Sequence, residues 1–320
     1  MSKNIPLETA GKMFLDGQKI ALAVHVSPDG DALGSGLGLA QLLAGQGKDV
    51  TVFVDDIIKG FSFLPGISTI KTNKDLDAVT EPLHFDVLGV LDCSTLDRIG
   101  RVAEKITADK VVNIDHHVSN LGFTEYIYVD AKAAATAELI VLLAQVMHWP
   151  LTKDVATNLF TALNTDSGSF KYSNVTPRTL RCAADLVEAG AEPAAINEAI
   201  DVTSGATMAT LIKVLPTLAY AAEGRVAYIC EKHEDYDVKV PTDFFVNFPR
   251  GIEGVQVGIF FKEVEPAKTR VSMRSSGPDV AGIASSFGGG GHHRAAGCTV
   301  ELPLTAAVAA VLSAIEKVLQ

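Results

Sequence analysis

Between residues 19 and 115, short apolar runs alternate with helical or loop segments: "KIALAVH" (19–25), "DVTVFVD" (49–55), "FDVLGVLD" (85–92) and "KVVNID" (110–115). The runs are nearly continuous, the pattern of parallel strands covered on both faces. From about 131 to 220 the apolar positions recur at helical spacing, over 134–148, 153–164, 177–189, 192–201 and 206–220. A polar junction near 190–206 marks a boundary within this stretch. Beyond it, "RVAYIC" (225–230), "GVQVGIFF" (254–261) and "TRVSMR" (269–274) predict strands, and 304–319 predicts a closing helix. The whole predicts an α/β chain. A doubly wound, mainly parallel sheet followed by helices fills 1–190, a linker spans 191–206, and a smaller α/β domain fills 207–320.

The polar residues that end the apolar runs are of one kind. "HVSPDGDALGSG" (25–36) brings His25, Asp29 and Asp31 into one turn, with Pro28 and Gly30 supplying the bend. The third run ends in Asp92, the fourth in Asp115-His116-His117, and the helix over 153–164 runs into Asp166. Ligands of an open α/β sheet bind beyond the carboxyl ends of its strands, so these segments should converge there. Five carboxylates in one crevice would repel one another. Divalent cations, with histidines as neutral nitrogen ligands, resolve the conflict. Taken singly, each residue has a plainer reading: an Asp at a strand–helix turn is usually an N-cap, and Asp31 would serve as one. The joint pattern is harder to explain that way. Five of the eight histidines fall in such segments or in "GGGGHHRAAG" (288–297), namely His25, His116, His117, His292 and His293.

Charge and composition narrow the function. A net charge of −11 opposes non-specific binding of long nucleic acid, which depends on Lys and Arg neutralising many phosphates. No apolar stretch is long enough for a bilayer span and no signal-peptide core is present, so a cytoplasmic protein without a membrane partner is expected. The four cysteines lie far apart with no C-x-x-C pair, which argues against a zinc knuckle or a disulfide framework. No G-x-S-x-G supports a serine hydrolase. "GSGLG" (34–38) after the first strand, with Asp55 ending the second, could suggest a nucleotide-binding Rossmann module, but the third glycine is missing from the expected spacing.

"HVSPDGDALGS", "LDCS", "DHH" and "TDSGSF", in this order, resemble the four metal-binding motifs of the DHH phosphoesterase superfamily, and "GGGGHHRAAG" resembles the signature of its C-terminal substrate-binding domain. The layout is most similar to the branch that degrades oligonucleotides of a few residues and dephosphorylates 3′-phosphoadenosine 5′-phosphate (pAp). The resemblance implies two Mn²⁺ ions, with Mg²⁺ or Co²⁺ as substitutes. One ion would be held by His25, Asp29 and Asp92, the other by Asp31, Asp92, His116 and Asp166, with Asp92 bridging. Oxygen-rich ligands with one or two imidazoles suit manganese. His117 is expected at the scissile phosphate or leaving oxygen, and Asp115 as the acceptor that orients a neighbouring imidazole.

Substrate selection is expected of the second domain. Gly289, Gly290 and Gly291 let backbone N–H groups approach a phosphate, and "HHRAA" could begin a helix whose N-terminus attracts anions. His292 matches the histidine of the family signature, while His293 and Arg294 occupy its variable positions. Arg274, ending a strand, suits two phosphate oxygens as a planar clamp. Short RNA or DNA oligomers, pAp, and linear or cyclic dinucleotides are the expected substrates, and homodimer formation stays open. Pyrophosphatases of the superfamily lack the glycine–histidine signature. RecJ-like exonucleases carry an added single-strand module that is not visible here.

Overall fold

The computed structural model describes residues 2–56 and 59–319, which fall into two units on either side of the Val202–Thr203 bond. The first unit contains β1 (Lys3–Asn4), α1 (Leu7–Asp16), β2 (Lys19–Ala23), α2 (Gly30–Ala44), β3 (Asp49–Phe53), α3 (Asn73–Asp77), β4 (Leu83–Leu91), α4 (Val102–Lys105) and β5 (Ile106–Asp115). It continues with β6 (Tyr126–Val129), α5 (Thr136–Met147), α6 (Lys153–Asp166), α7 (Pro177–Glu188) and α8 (Pro193–Asp201). Its strands lie in the order β1-β6-β5-β4-β2-β3, every pair parallel. Successive side chains of a strand point to opposite faces. Ile20 and Leu22 accordingly join the larger core with α1, α2, α5 and α6, while Ala21 and Ala23 join Phe53, Leu76, Phe85 and Val102 on the other side. Burial on both faces explains why the strands read as continuous apolar runs.

Two topological facts place the site. The chain leaves β2 outward to β3 and then returns to β4 on β2's other side, so the strand order reverses between β2 and β4. Such a switch point opens a crevice at the carboxyl ends of its strands. Helix α2 starts beside it and packs directly on α6: a Cβ on Gly34 would lie 2.4 Å from the Asn158 carbonyl oxygen, and one on Gly30 2.4 Å from Thr165 Oγ1. Gly30, Gly34 and Gly38 of "GDALGSGLG" therefore serve close packing of α2 on α6 and form no dinucleotide loop, which removes the Rossmann reading. That packing lays the C-terminal end of α6, with Asp166, against the N-terminal turn of α2.

Within the segment expected as a linker, 191–206, most residues belong to α8, whose Ile196 is buried in the first unit's core. The units divide between Val202 and Thr203.

The second unit contains α9 (Gly205–Val214), β7 (Ala219–Ala221), β8 (Val226–Glu231), α10 (Asn247–Arg250), β9 (Val257–Glu265), β10 (Lys268–Ser275), α11 (Val280–Ser286), β11 (Gly290–His292), β12 (Ala295–Val300) and α12 (Leu304–Leu319). Its sheet runs β11-β12-β10-β9-β8-β7, with only β8–β9 parallel. Val257, Ile259 and Phe261 pack with Val311 and Ile315 of α12, while Phe260 packs with Leu211, Val214 and Phe245 on the opposite face. The helix expected at "HHRAA" is corrected to a hairpin. Ala296, Cys298 and Val300 are buried alternately and continue the pairing with β10, so the period of two wins over any helical start. Gly291 has φ +139°, and a Cβ there would lie 2.5 Å from the Ala295 carbonyl oxygen, so the hairpin itself requires this glycine. Among the described residues, no helix is long and apolar enough to cross a membrane.

Candidate metal centre

Parallel register brings three ligand-bearing strand ends together. Ala23 pairs with Val90 and Leu91 with Ile114, so the residues just beyond β2, β4 and β5 emerge side by side. The turn after β2 begins α2 with Asp29 as N-cap, its carboxylate accepting from Ala32 N at 3.0 Å. The N-cap reading offered for Asp31 thus belongs to Asp29. Asp31 lies inside the first turn and is buried, with 1% exposure. Its oxygens accept from Thr136 N (2.6 Å), Ala137 N (3.0 Å) and Ser35 Oγ (2.9 Å), so the N-terminus of α5 stabilises the buried negative charge. Asp92 is equally buried and has a left-handed backbone, φ +55°, a conformation that a non-glycine residue holds only where its surroundings enforce it. Its N–H donates to Ile114 O at 3.1 Å, and Thr136 Oγ1 donates to its Oδ1 at 3.0 Å.

Both inward-facing imidazoles are pinned through Nδ1. In His25 this atom lies 2.9 Å from Val26 O, and in His116 it lies 3.3 Å from Ala133 O. A ring that donates from Nδ1 to a carbonyl presents Nε2 as a ligand, the usual outer-shell arrangement of a metal-binding histidine. His25 Nε2 lies 3.7 Å from Asp29 Oδ1 and 3.5 Å from Asp92 Oδ2. His116 Nε2 lies 3.5 Å from Asp92 Oδ1, 3.5 Å from Asp166 Oδ2 and 3.8 Å from Asp31 Oδ2. These separations exceed ordinary hydrogen bonds. They approach the spacing of adjacent donors, about 3.0–3.5 Å, around an ion with bonds of about 2.1 Å.

Electrostatics gives the same answer. Burial and the neighbouring Asp92 raise the Asp31 carboxyl well above its ordinary range. Burial also pushes Asp166 up to about 7, against the pull of His116 and with the help of Asp29 and Asp92. Burial disfavours charged imidazoles, yet the carboxylates around them push His25 up to about 10 and His116 up to about 9. A cluster that forces protons onto its histidines is short of positive charge, and a divalent ion supplies it. The residues His25, Asp29 and Asp92, and separately Asp31, His116 and Asp166, can each converge on one ion.

His117 is placed differently. Its Nδ1 lies 2.7 Å from Asp115 Oδ1, while Asp115 is fully buried and also accepts from His116 N at 2.9 Å. Burial works against the charged His117 ring, but Asp115 and Asp92 outweigh it and raise its proton affinity. In the second unit, antiparallel register sets Arg274 opposite Ala295 and Ala295 opposite His292, so Arg274 and His292 flank one small residue on one sheet face. Gly290 and Gly291 pair within the same hairpin, preceded by Gly289, and His293-Arg294 form its turn.

Sequence reasoning missed Thr136, Ser35, Asn113, Asn120 and the bracket behind the 130–136 loop. In that bracket Glu138 accepts from Arg178 Nε, Thr179 Oγ1 (2.8 Å) and Ala134 N (3.1 Å), and Arg178 also donates to Asp130 at 2.8 Å. One signal was available: Asn113 interrupts the otherwise apolar "KVVNID".

An α/β domain with an Asp/His cluster at its switch point, followed by a second α/β unit, defines the class. Residues 19–163 match the DHH family, N-terminal domain, and residues 226–320 match the DHHA1 domain. The chain belongs to the DHH family of phosphoesterases. It is 34% identical over 300 residues to a bifunctional oligoribonuclease and PAP phosphatase NrnA of Thermus thermophilus, covering 93% of this chain and 89% of that relative. A protein of the same description from Mycoplasma genitalium is 32% identical over 289 residues, 88% of each chain. The crystal structure of an exopolyphosphatase-related protein from Bacteroides fragilis matches with a TM-score of 0.86 at 26% identity, covering 97% of this chain and 95% of that one.

Proposed function

We propose that the chain is a manganese-dependent phosphoesterase that hydrolyses oligonucleotides of two to five residues to mononucleotides and removes a phosphate from pAp. The observation that carries the reading is the placement of Asp92: Oδ2 faces His25 and Oδ1 faces His116, so one buried carboxylate stands between the two ligand groups and could serve both. The NrnA relatives, by their description, act on oligoribonucleotides and PAP, which supports the substrate class.

In this reading His25, Asp29 and Asp92 hold one Mn²⁺ and Asp31, Asp92, His116 and Asp166 the other. Bound there, the pair supplies a water of lowered pKa and neutralises the phosphate oxygens. The protein contributes the remaining steps. Asp31 and Asp92 are fixed by α5 and Thr136, so the ligand frame is set before substrate arrives. His117, oriented by Asp115, provides a proton for the departing oxygen. Arg274, His292 and the glycine hairpin, including the backbone of Gly289, Gly290 and Gly291 and the turn residues His293 and Arg294, grip a phosphate or sugar of the substrate. The four free cysteines are in keeping with a reducing, cytoplasmic compartment.

The test is a rate comparison of the Mn²⁺-loaded protein on pAp, pApA, pGpG, a five-mer, a 24-mer and cyclic di-AMP. Fast turnover of pAp and short linear oligomers, falling steeply with length, is expected. Equal efficiency on the five-mer and the 24-mer, or preference for the cyclic dinucleotide, overturns the assignment.

A further inference from the structure

We infer that Asn120, acting with Asn113, is a positioning residue that fixes the Asp115 carboxylate, and through it the His117 ring, while clamping the turn that carries Asp92. The inference rests on the functional reading above only for its kinetic readout.

Asn113 is a fully buried amide in the middle of β5, paired in register with Val90 of β4. Its Nδ2 donates to Val90 O at 3.0 Å and to Cys93 O at 3.1 Å, spanning the left-handed Asp92 between them. Asn120, beyond the Asp-His-His triplet, completes the clasp. Its Nδ2 lies 2.7 Å from Asn113 Oδ1, 3.1 Å from Cys93 O and 2.7 Å from Asp115 Oδ2, while its Oδ1 accepts from Gly122 N at 2.9 Å. Every acceptor around that nitrogen belongs to a segment that carries a site residue.

The geometry defines a division of labour on Asp115. Oδ2 is held by Asn120, and Oδ1 takes His116 N and His117 Nδ1. With Asn120 on Oδ2 and the His116 N–H on Oδ1 the carboxylate is restrained from rotating, so Oδ1 keeps the His117 Nδ1–H in place and fixes the ring's tautomer. Release of Asp115 would let His117 leave its working position, and displacements of about 1 Å can lower rates about a hundredfold. The clasp reaches the ligands Asp92 and His116 only through the backbone beside them, and Asn113 still donates to Val90 O and Cys93 O when Asn120 is replaced, so metal binding should fall much less than turnover.

The decisive variant is Asn120→Asp, which keeps shape but replaces the donors by an acid facing three acceptors; Asn120→Ser serves as the uncharged second variant. Two measurements are made. The first is the downfield ring-proton resonance of His117, assigned by its loss in His117→Gln and read by NMR in metal-free protein. It is expected to vanish or broaden in both variants. The second is steady-state kinetics with pAp: kcat should fall about 10- to 100-fold, KM should change less than about threefold, and Mn²⁺ binding by titration calorimetry should change less than about threefold. In an Asp115→Asn background, adding Asn120→Ser should lower kcat less than about threefold, because its target is already gone. Retention of the His117 resonance, multiplicative losses in the double variant, or a lowered melting temperature with normal kcat per folded molecule would overturn the inference. The NMR result stands whether or not pAp is the substrate, so failure of the positioning role and failure of the functional reading are told apart.

Discussion

The main-chain N–H of Thr136 donates to Asp31 at 2.6 Å, joining the first turn of α2 to the first turn of α5 across 105 positions of sequence. The same threonine gives its hydroxyl to Asp92 at 3.0 Å, so one residue orients two carboxylates of the candidate metal centre.

Thr136→Val isolates the hydroxyl, because the shape and the backbone donor to Asp31 survive. Asp92 would lose its fixed oxygen, and outer-shell losses of this kind weaken metal binding by about 10- to 100-fold. Titration calorimetry with Mn²⁺ checks this. A loss smaller than twofold would mean that the turn backbone alone holds Asp92.

The metal-free protein should lose stability as pH rises. A histidine held at about 10 or about 9, against 6.5 when unfolded, contributes stability that is complete below pH 6.5 and lost through those higher values. Asp166, raised from 3.8 to about 7, acts in the same direction between those two values, since the unfolded chain has already released its proton. A divalent ion replaces these protons. The gap in melting temperature between Mn²⁺-loaded and metal-free protein should therefore widen from pH 6 to pH 9, with proton release on binding visible in buffers of differing ionisation enthalpy. A constant or narrowing gap contradicts the charge balance described here.

Behind the site, Arg178 is the cation facing fully buried Glu138, and both brace the loop whose Ala133 carbonyl fixes His116. Arg178→Met strands a buried carboxylate. Since the arginine is itself partly exposed, a loss of about 2–4 kcal/mol is expected, near the lower end for breaking a buried pair. Adding Glu138→Gln should recover part of it, because the uncompensated charge is removed. Chemical denaturation of the single and double variants measures both effects; an unrecovered double variant would assign the loss to packing.

How much of this could be read from the chain depends on how local the cause was. The parallel strands were legible because double-sided burial writes itself as continuous apolar runs, and His25, Asp92 and Asp115 were legible because register alone aligns strand ends. The hairpin at 290–300 was not legible locally, since Gly-Gly followed by polar residues has the appearance of a helix start until the alternation of Ala296, Cys298 and Val300 is counted. Either aspartate of the turn satisfies the local N-cap rule, and only the tertiary contact from α5 to Asp31 leaves the cap to Asp29. Thr136 and Asn120 act through partners 44 and 27 positions away, and no periodicity records such contacts.

The second unit's part can be separated from the chemistry. Arg274 and His292 flank Ala295 on one sheet face, and neither is among the ligands proposed for the two ions. Arg274→Ala and His292→Ala should therefore leave Mn²⁺ content unchanged by elemental analysis. Bis-p-nitrophenyl phosphate carries no second phosphate or ribose for these residues to hold, so its hydrolysis should stay within about twofold of normal. Loss of one charge-assisted hydrogen bond, about 1.5–3 kcal/mol, should lower kcat/KM for pAp and pApA by about ten- to a hundredfold. Steady-state kinetics on the two substrate classes decides the matter. A parallel fall for the generic diester and for pAp would show that the β10–β12–β11 face takes part in bond breaking, because a purely gripping role leaves the small diester untouched.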